Sequence, residues 1–98
     1  MSDELTLEQK IELCEGKNFW NTKEMPGVPG VMMCDGPHGL RKQAGDADML
    51  GINKSIPATC FPTAVSTACS WDEELLGKIG EAIASEAAAN GVGLLLGP

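Results

Sequence analysis

The sequence predicts an α/β fold organised around one β–α–β unit. Two apolar runs, residues 31–34 and 92–96, have the character of strands that are covered on both faces, as in a parallel sheet. A helical pattern lies between them, beginning at Asp72 and ending at Asn90. Two strands joined by a long connection that contains a helix are expected to be parallel, with a right-handed crossover.

The first element along the chain is predicted to be a helix. Thr6 and Gln9 have the S/T-x-x-E/Q spacing of a capping box, which favours a helix start at Thr6. Gly16 is a natural stop. Three residues recur at helical spacing and predict one apolar stripe: Leu7, Ile11 and Cys14.

The segments between the predicted elements have the composition of loops. Residues 17–30 contain two prolines, two glycines and the aromatic pair Phe19-Trp20, and residues 42–57 are polar without periodicity. Residues 61–71 carry no clear signal.

Asp72 is predicted to cap the helix of the β–α–β unit, and acidic residues in its first turn suit the helix dipole. Asn90 and Gly91 supply a left-handed stop. The predicted buried stripe has six members: Leu75, Leu76, Ile79, Ala82, Ile83 and Ala87.

Composition and charge exclude several classes of protein. The chain has 98 residues, of which 14 are acidic and 7 basic, and its net charge of −7 disfavours nucleic acid and anionic lipid as partners. No apolar run approaches the roughly 20 residues that span a bilayer. The acidic start lacks the order of a secretory signal, so a cytoplasmic location is predicted. We therefore expect the four cysteines to be reduced, and most of them to be packing residues.

The sharpest candidate for a functional residue is Asp35. Ligands in parallel α/β folds bind at the carboxyl ends of the strands, and Asp35 directly follows the first predicted strand. Gly36 and Gly39 allow backbone to approach a ligand closely. The alternative is that Asp35 only caps a turn, since Asp-Gly is common there.

Other polar residues carry weaker signals. Arg41 would hold a substrate hydroxyl, pair with Asp35 or be a solvated base, whereas His38 is interpreted as a structural group bonded to backbone rather than as an acid/base. Asp46 and Asp48 form a D-x-D without the rest of a calcium loop. Neither they nor a cysteine set with His38 has the spacing of a strong metal site, so no metal is predicted. The two tryptophans, Trp20 and Trp71, are interpreted as packing residues.

Five stretches of the sequence together resemble the N-terminal end of bacterial β-glucosidases of glycoside hydrolase family 3. Their order and spacing agree with that family over essentially the whole chain, and their combination is far more specific than any one alone. The stretches read LTLEQKI at 5–11, GKNFW at 16–20, MCDGPHGLR at 33–41, ATCFPTA at 58–64 and LLLGP at 94–98.

The resemblance implies a (β/α)8 barrel, of which this chain is the incomplete opening β–α–β portion, since such a barrel takes about 250 residues. It also implies hydrolysis of terminal β-linked glucosyl residues with retention of configuration and without a metal or cofactor. The nucleophile and the acid/base would lie on later segments. Asp35 matches the family's aspartate that accepts hydrogen bonds from sugar hydroxyls, and Arg41 matches a position near the mouth of the same pocket.

The sequence therefore leads to two hypotheses. In the first, residues 1–98 are the N-terminal part of the barrel domain of a retaining β-glucosidase. The chain then supplies the sugar-binding Asp35, with Arg41 beside it, for a β-glucoside or oligosaccharide substrate, and it is inactive by itself. In the second, the chain is a stand-alone, non-enzymatic module that self-associates through exposed strand edges.

Overall fold

A computed structural model describes residues 5–45, 50 and 52–97 of the chain. The described part contains three helices and two strands, which follow one another in this order: α1 Leu7–Glu12, β1 Met33–Asp35, α2 Ala64–Ala68, α3 Glu73–Ala89 and β2 Leu94–Leu96. Among these described elements, no helix is long and apolar enough to cross a bilayer.

The two strands form one parallel pair, as the β–α–β pattern predicts. Met33 lies opposite Leu94 and Asp35 lies opposite Leu96. Each strand begins two residues later than its apolar run, at Met33 rather than residue 31 and at Leu94 rather than residue 92. The interpretation of Asp35 as the first residue after the strand is therefore wrong: it is the last residue of β1.

The free edge of β1 is covered by the connector that precedes it. The backbone N–H of Met33 donates to the Trp20 carbonyl at 2.7 Å, and Thr22 N–H donates to the Val31 carbonyl at 2.9 Å. The Phe19 and Trp20 rings meet edge to face with their centroids 4.8 Å apart. Trp20 also packs against the core, so its interpretation as a packing residue is confirmed.

The main helix, α3, has the ends that its sequence predicts. The Asp72 side chain accepts a 3.0 Å hydrogen bond from Leu75 N–H, and Gly91 follows the C-cap with a left-handed φ of 69°. Near its C-terminus Ala87 joins the small buried core, whose other members are Cys34, Leu40 and Val92.

The prediction of a buried stripe on α3 is wrong for five of its six members. Only Ala87 of the six residues is buried, while Leu75 and Leu76 remain 42% and 39% exposed. A helix of 17 residues is about 26 Å long, whereas a strand of three residues spans only about 10 Å. The described sheet is therefore too short to cover the first half of the helix.

The two shorter helices also lack cover from the described chain. α1 has the predicted capping box at Thr6 but ends at Glu12, before Gly16, and Leu7 and Ile11 are exposed rather than buried. α2, which the sequence did not indicate, is capped by Thr63. Trp71 follows it at 92% exposure with a φ of 53°, so its interpretation as a packing residue is wrong for the described chain.

The four cysteines are free, but they do not share one environment. Cys34 is completely buried in the core, and this burial raises the pKa of its thiol. The other three, Cys14, Cys60 and Cys69, are exposed. The expectation that most cysteines are packing residues is therefore wrong, because three of the four lie on surfaces that the described residues leave open.

Candidate functional site

Asp35 lies at the carboxyl end of β1, on the sheet face that points away from α3. Cys34 belongs to the core together with Ala87 of α3. Side chains alternate along a strand, so Asp35 projects from the opposite face. In the parallel register the Leu96 side chain lies beside it on that face.

The ends of both strands meet at one rim of the sheet. Gly36 N–H donates to the Leu96 carbonyl at 2.8 Å. Gly97 has a φ of 143°, and a Cβ there would lie 2.6 Å from the Gly36 carbonyl oxygen. Gly36 and Gly97, the residues that directly follow β1 and β2, are thus packed backbone against backbone at the carboxyl ends of the strands, where parallel α/β folds bind their ligands.

The loop from Gly36 to Leu40, which we call the site loop, folds back onto β1. Arg41 N–H donates to the Asp35 carbonyl at 2.8 Å and closes the loop. Leu40 anchors it in the core at 5% exposure. Asp35 and Arg41, the two predicted site residues, therefore lie side by side at the base of the same loop.

The charged groups of the two predicted site residues are not paired with each other. No ion pair joins Arg41 to Asp35, and the Arg41 side chain is exposed. Among residues 5–45, 50 and 52–97, none donates a hydrogen bond to the Asp35 carboxylate. With respect to the described residues, both carboxylate oxygens can therefore accept hydrogen bonds from a ligand.

A second loop, residues 58–61, contacts the backbone of the site loop at residues 38 and 39. Phe61 N–H donates to the His38 carbonyl at 2.8 Å. Gly39 has a φ of 122°, and a Cβ there would lie 2.3 Å from the Thr59 carbonyl oxygen. His38 itself is exposed, and only its backbone takes part in this support.

Two cavities border the site loop, and Asp35 lines neither of them. An apolar cavity of about 240 Å³ separates Gly36–Gly39 from α2 and the middle of α3. A more open depression of about 210 Å³ lies between the loop and residues 58–60, with His38 and Arg41 on its wall. Asp35 therefore lies outside both of these cavities.

No group of three histidine, cysteine or carboxylate side chains gathers within the described ranges in a way that would bind a metal ion. The D-x-D pair, Asp46 and Asp48, lies outside the described residues.

The sequence does not predict two hydrogen bonds that join the C-terminal end of α3 to Lys42 and Thr59. The Glu86 carboxylate accepts a 3.0 Å hydrogen bond from Thr59 N–H, and Lys42 Nζ donates to the Asn90 carbonyl at 2.6 Å. These partners are 27 and 48 residues apart, so no local pattern signals them.

Known proteins that are similar to this chain are glycosidases. The thermostable β-glucosidase B of Acetivibrio thermocellus is 55% identical over 97 residues, which are 97% of this chain and 13% of the relative. The exo-α-(1→6)-L-arabinopyranosidase of Bifidobacterium breve is 46% identical over 98 residues, again 13% of its length. The chain thus spans about an eighth of these relatives. No protein-family model matches the chain.

Solved structures of glycosidases share the fold of the chain, among them the following two. The GH3 β-glucosidase of Bifidobacterium adolescentis superposes with a TM-score of 0.78 at 40% identity, covering 98% of this chain and 13% of that one. The Kluyveromyces marxianus β-glucosidase, solved with glucose, superposes with a TM-score of 0.81 at 33% identity, covering 98% and 11%. By sequence and by fold, over the residues compared, this chain belongs to glycoside hydrolase family 3.

Proposed function

We propose that this chain is the N-terminal part of the (β/α)8 barrel domain of a retaining β-glucosidase, and that Asp35 binds hydroxyls of the sugar at the cleavage site. In this proposal, Arg41 lies at the mouth of the pocket in which Asp35 binds the sugar. β-D-Glucosides are the proposed substrates because the relative at 55% identity and both structural neighbours are β-glucosidases.

The observation that carries the proposal is the position of the Asp35 carboxylate. It stands at the carboxyl end of β1, on the sheet face away from α3, which in a closed barrel is the inner face. Ligand sites of such barrels are built at this end of the strands. Further strands would extend this rim and complete a pocket around it.

The chemistry of Asp35 suits a sugar ligand. A carboxylate that receives no hydrogen bond from the described residues can accept from two adjacent hydroxyls at once. Hydrogen bonds to a charged group contribute about 1.5–3 kcal/mol each. Binding of this kind orients the sugar ring and performs no covalent step.

The catalytic carboxylates are proposed to lie on other segments. Retaining hydrolysis needs a nucleophile and an acid/base whose carboxyl groups are about 5–5.5 Å apart. The resemblance assigns neither of these roles to any carboxylate among the described residues. We therefore expect the isolated chain to bind sugar weakly at best and to hydrolyse none.

A second candidate function is a non-enzymatic module that self-associates. The observation that favours it is the amount of apolar surface without cover in the described chain, including Leu94 and Leu96 at 47% and 46% exposure. A second copy would bury this surface. The same surface is equally suited to further β–α units of a barrel, so an activity test separates the two candidates.

The test is a chimeric enzyme in which this chain replaces the matching 97-residue stretch of the Acetivibrio thermocellus β-glucosidase B. Hydrolysis of 4-nitrophenyl β-D-glucoside is measured for the chimeric enzyme, the parent enzyme and the isolated chain. We expect activity in the chimeric enzyme and none in the isolated chain.

A folded chimeric enzyme without activity would contradict the proposal. Turnover by the isolated chain, purified free of host glycosidase, would contradict the assignment of the catalytic carboxylates to other segments. An isolated chain that forms a stable, discrete oligomer, together with an inactive chimeric enzyme, would favour the self-associating module.

A further inference from the structure

We propose that Glu86 is a positioning residue for the site loop, which directly follows the sugar-binding Asp35: from α3 it holds Thr59, and Thr59 sets the path of the site loop between Asp35 and Arg41. This inference rests on the proposed function of Asp35. It adds a residue that the resemblance does not mark and that touches neither sugar nor catalytic group.

The first step is the contact between Glu86 and the backbone of residue 59. Glu86 Oε1 accepts from Thr59 N–H at 3.0 Å, and Oε2 lies 3.3 Å from the same nitrogen. The Thr59 hydroxyl also donates to Oε1 at 3.3 Å. One carboxylate thus fixes both the backbone and the side chain of Thr59, and hydrogen bonds to an ionised acceptor are about twice as strong as neutral ones.

The second step leads from Thr59 to the site loop. The Thr59 carbonyl oxygen would lie only 2.3 Å from a Cβ at Gly39, so the two backbones are in direct contact. Two residues further on, Phe61 N–H donates to the His38 carbonyl at 2.8 Å. A shift of Thr59 must therefore move His38 and Gly39, the tip of the loop.

Glu86 has no competing partner in the described chain. No lysine, arginine or histidine of the described ranges forms an ion pair with it, and it is half-buried next to the core residue Ala87. Its rigid position on a 17-residue helix makes it a suitable fixed point for a loop.

The other flank of the site loop is tied to the same end of α3. Lys42 follows Arg41 directly, and its Nζ donates to the Asn90 carbonyl at 2.6 Å, where a cation also suits the C-terminus of the helix. The C-terminal end of α3 thus holds both flanks of the site loop. Asn90 binds Lys42, which follows the loop in sequence, and Glu86 binds Thr59, which contacts the tip of the loop.

The test is a double-mutant cycle on the chimeric enzyme, with kcat and KM measured for Asp35→Ala, Glu86→Ala and the double variant. We expect Glu86→Ala to lower kcat/KM by at least about tenfold, since a displacement of about 1 Å at a site can cost about 100-fold. Adding Glu86→Ala to Asp35→Ala should lower kcat/KM no further, because the strand end that the site loop follows then carries no carboxylate to position.

Two matched variants separate positioning from folding. Glu86→Gln keeps an oxygen that accepts from Thr59 N–H, and it should restore most of the activity. Glu81→Ala removes an exposed glutamate from the same helix and should leave kcat/KM and the melting temperature unchanged. If Glu86→Ala does not fold, Glu86→Asp withdraws the carboxylate by one methylene and should show the same coupling to Asp35.

The kinetics of these variants test the positioning role of Glu86 separately from the sugar-binding role of Asp35. Equal activity of the Glu86→Ala and Glu81→Ala variants, or losses that multiply in the double variant, would overturn the positioning role and leave the role of Asp35 intact. Near-normal activity of Asp35→Ala would overturn both proposals. Wild-type kinetics of Glu86→Asp, where only that variant folds, would overturn the positioning role alone.

Discussion

Arg41 and Asp35 are joined through their backbones and not through their charges: Arg41 N–H donates to the Asp35 carbonyl at 2.8 Å, and no ion pair links the side chains. The loop between them is therefore closed by a contact that any residue other than proline at position 41 can make. Within the described ranges neither charged group has an ion-pair partner, and substitutions at Arg41 can separate loop closure from ligand contact.

Arg41→Ala should keep the loop closed, because the backbone hydrogen bond does not depend on the side chain. We expect its stability to stay within about 0.5 kcal/mol of the parent, as for other surface substitutions. Any loss of kcat/KM in the chimeric enzyme then measures direct contact with substrate, and it should be smaller than the loss on removal of Asp35.

Arg41→Pro is the matching variant that opens the loop. It removes the N–H donor, so we expect a loss of about 1 kcal/mol from the hydrogen bond alone, together with reduced activity. Thermal melting and glucoside hydrolysis of both variants check this. Equal melting temperatures of the alanine and proline variants would show that the backbone contact does not hold the loop.

Gly39→Ala should destabilise the enzyme. The residue has a φ of 122°, and its new Cβ would meet the Thr59 carbonyl oxygen at 2.3 Å. Strained backbone of this kind costs about 1–3 kcal/mol even without the steric clash. Thermal melting of the chimeric enzyme should show the loss, and activity should fall with it because the site loop must move.

Gly77→Ala is the control for that substitution. Gly77 lies within α3, and no atom of the described residues stands within 4 Å of the place that a Cβ would take, so alanine should stabilise the helix by up to about 1 kcal/mol. If Gly39→Ala melted at or above the temperature of Gly77→Ala, the tight approach of the two loops would not exist in solution.

The sequence predicts best what is decided within a few residues. The caps at Thr6 and Asp72 and the stop at Gly91 are local hydrogen-bonding and dihedral effects, and the structure confirms them. The parallel pairing also follows from the order of elements. The strand limits were wrong by two residues at their starts because they depend on which backbone groups find a partner across the sheet.

Burial was predicted poorly because it depends on distant parts of the chain. Leu75, Leu76 and Trp71 have the character of covered residues, but the described chain supplies nothing that lies over them. At the site, Asp35 and Arg41 could be singled out from strand topology and resemblance. The Glu86 contact could not, because it joins residues whose approach is set only by the completed fold.

Cys34 should be the slowest cysteine to react with a thiol reagent in the folded protein. It is fully buried and its pKa is raised by burial, whereas Cys14, Cys60 and Cys69 are exposed. Peptide mass spectrometry after timed alkylation of the chimeric enzyme should show Cys34 labelled last, and rapidly only after denaturation. Early labelling of Cys34 would contradict the described core.

The raised pKa of Cys34 also gives a direction for the pH dependence of stability. The folded state holds the thiol proton more tightly than the unfolded chain does. The protonated Cys34 thiol therefore contributes to the free energy of unfolding, and this contribution is complete below the ordinary thiol pKa. It is lost as the pH rises through the raised value. Cys34→Ala should therefore weaken the decline of stability in alkaline solution, which denaturant unfolding at a series of pH values measures.

The central claim, that Asp35 binds the sugar, is tested most directly by kcat/KM for 4-nitrophenyl β-D-glucoside in the chimeric enzyme with Asp35 and with alanine in its place. Two lost hydrogen bonds to a carboxylate predict a decrease of about 10²–10⁴-fold with the fold retained. A folded Asp35→Ala enzyme with near-normal kcat/KM would contradict it.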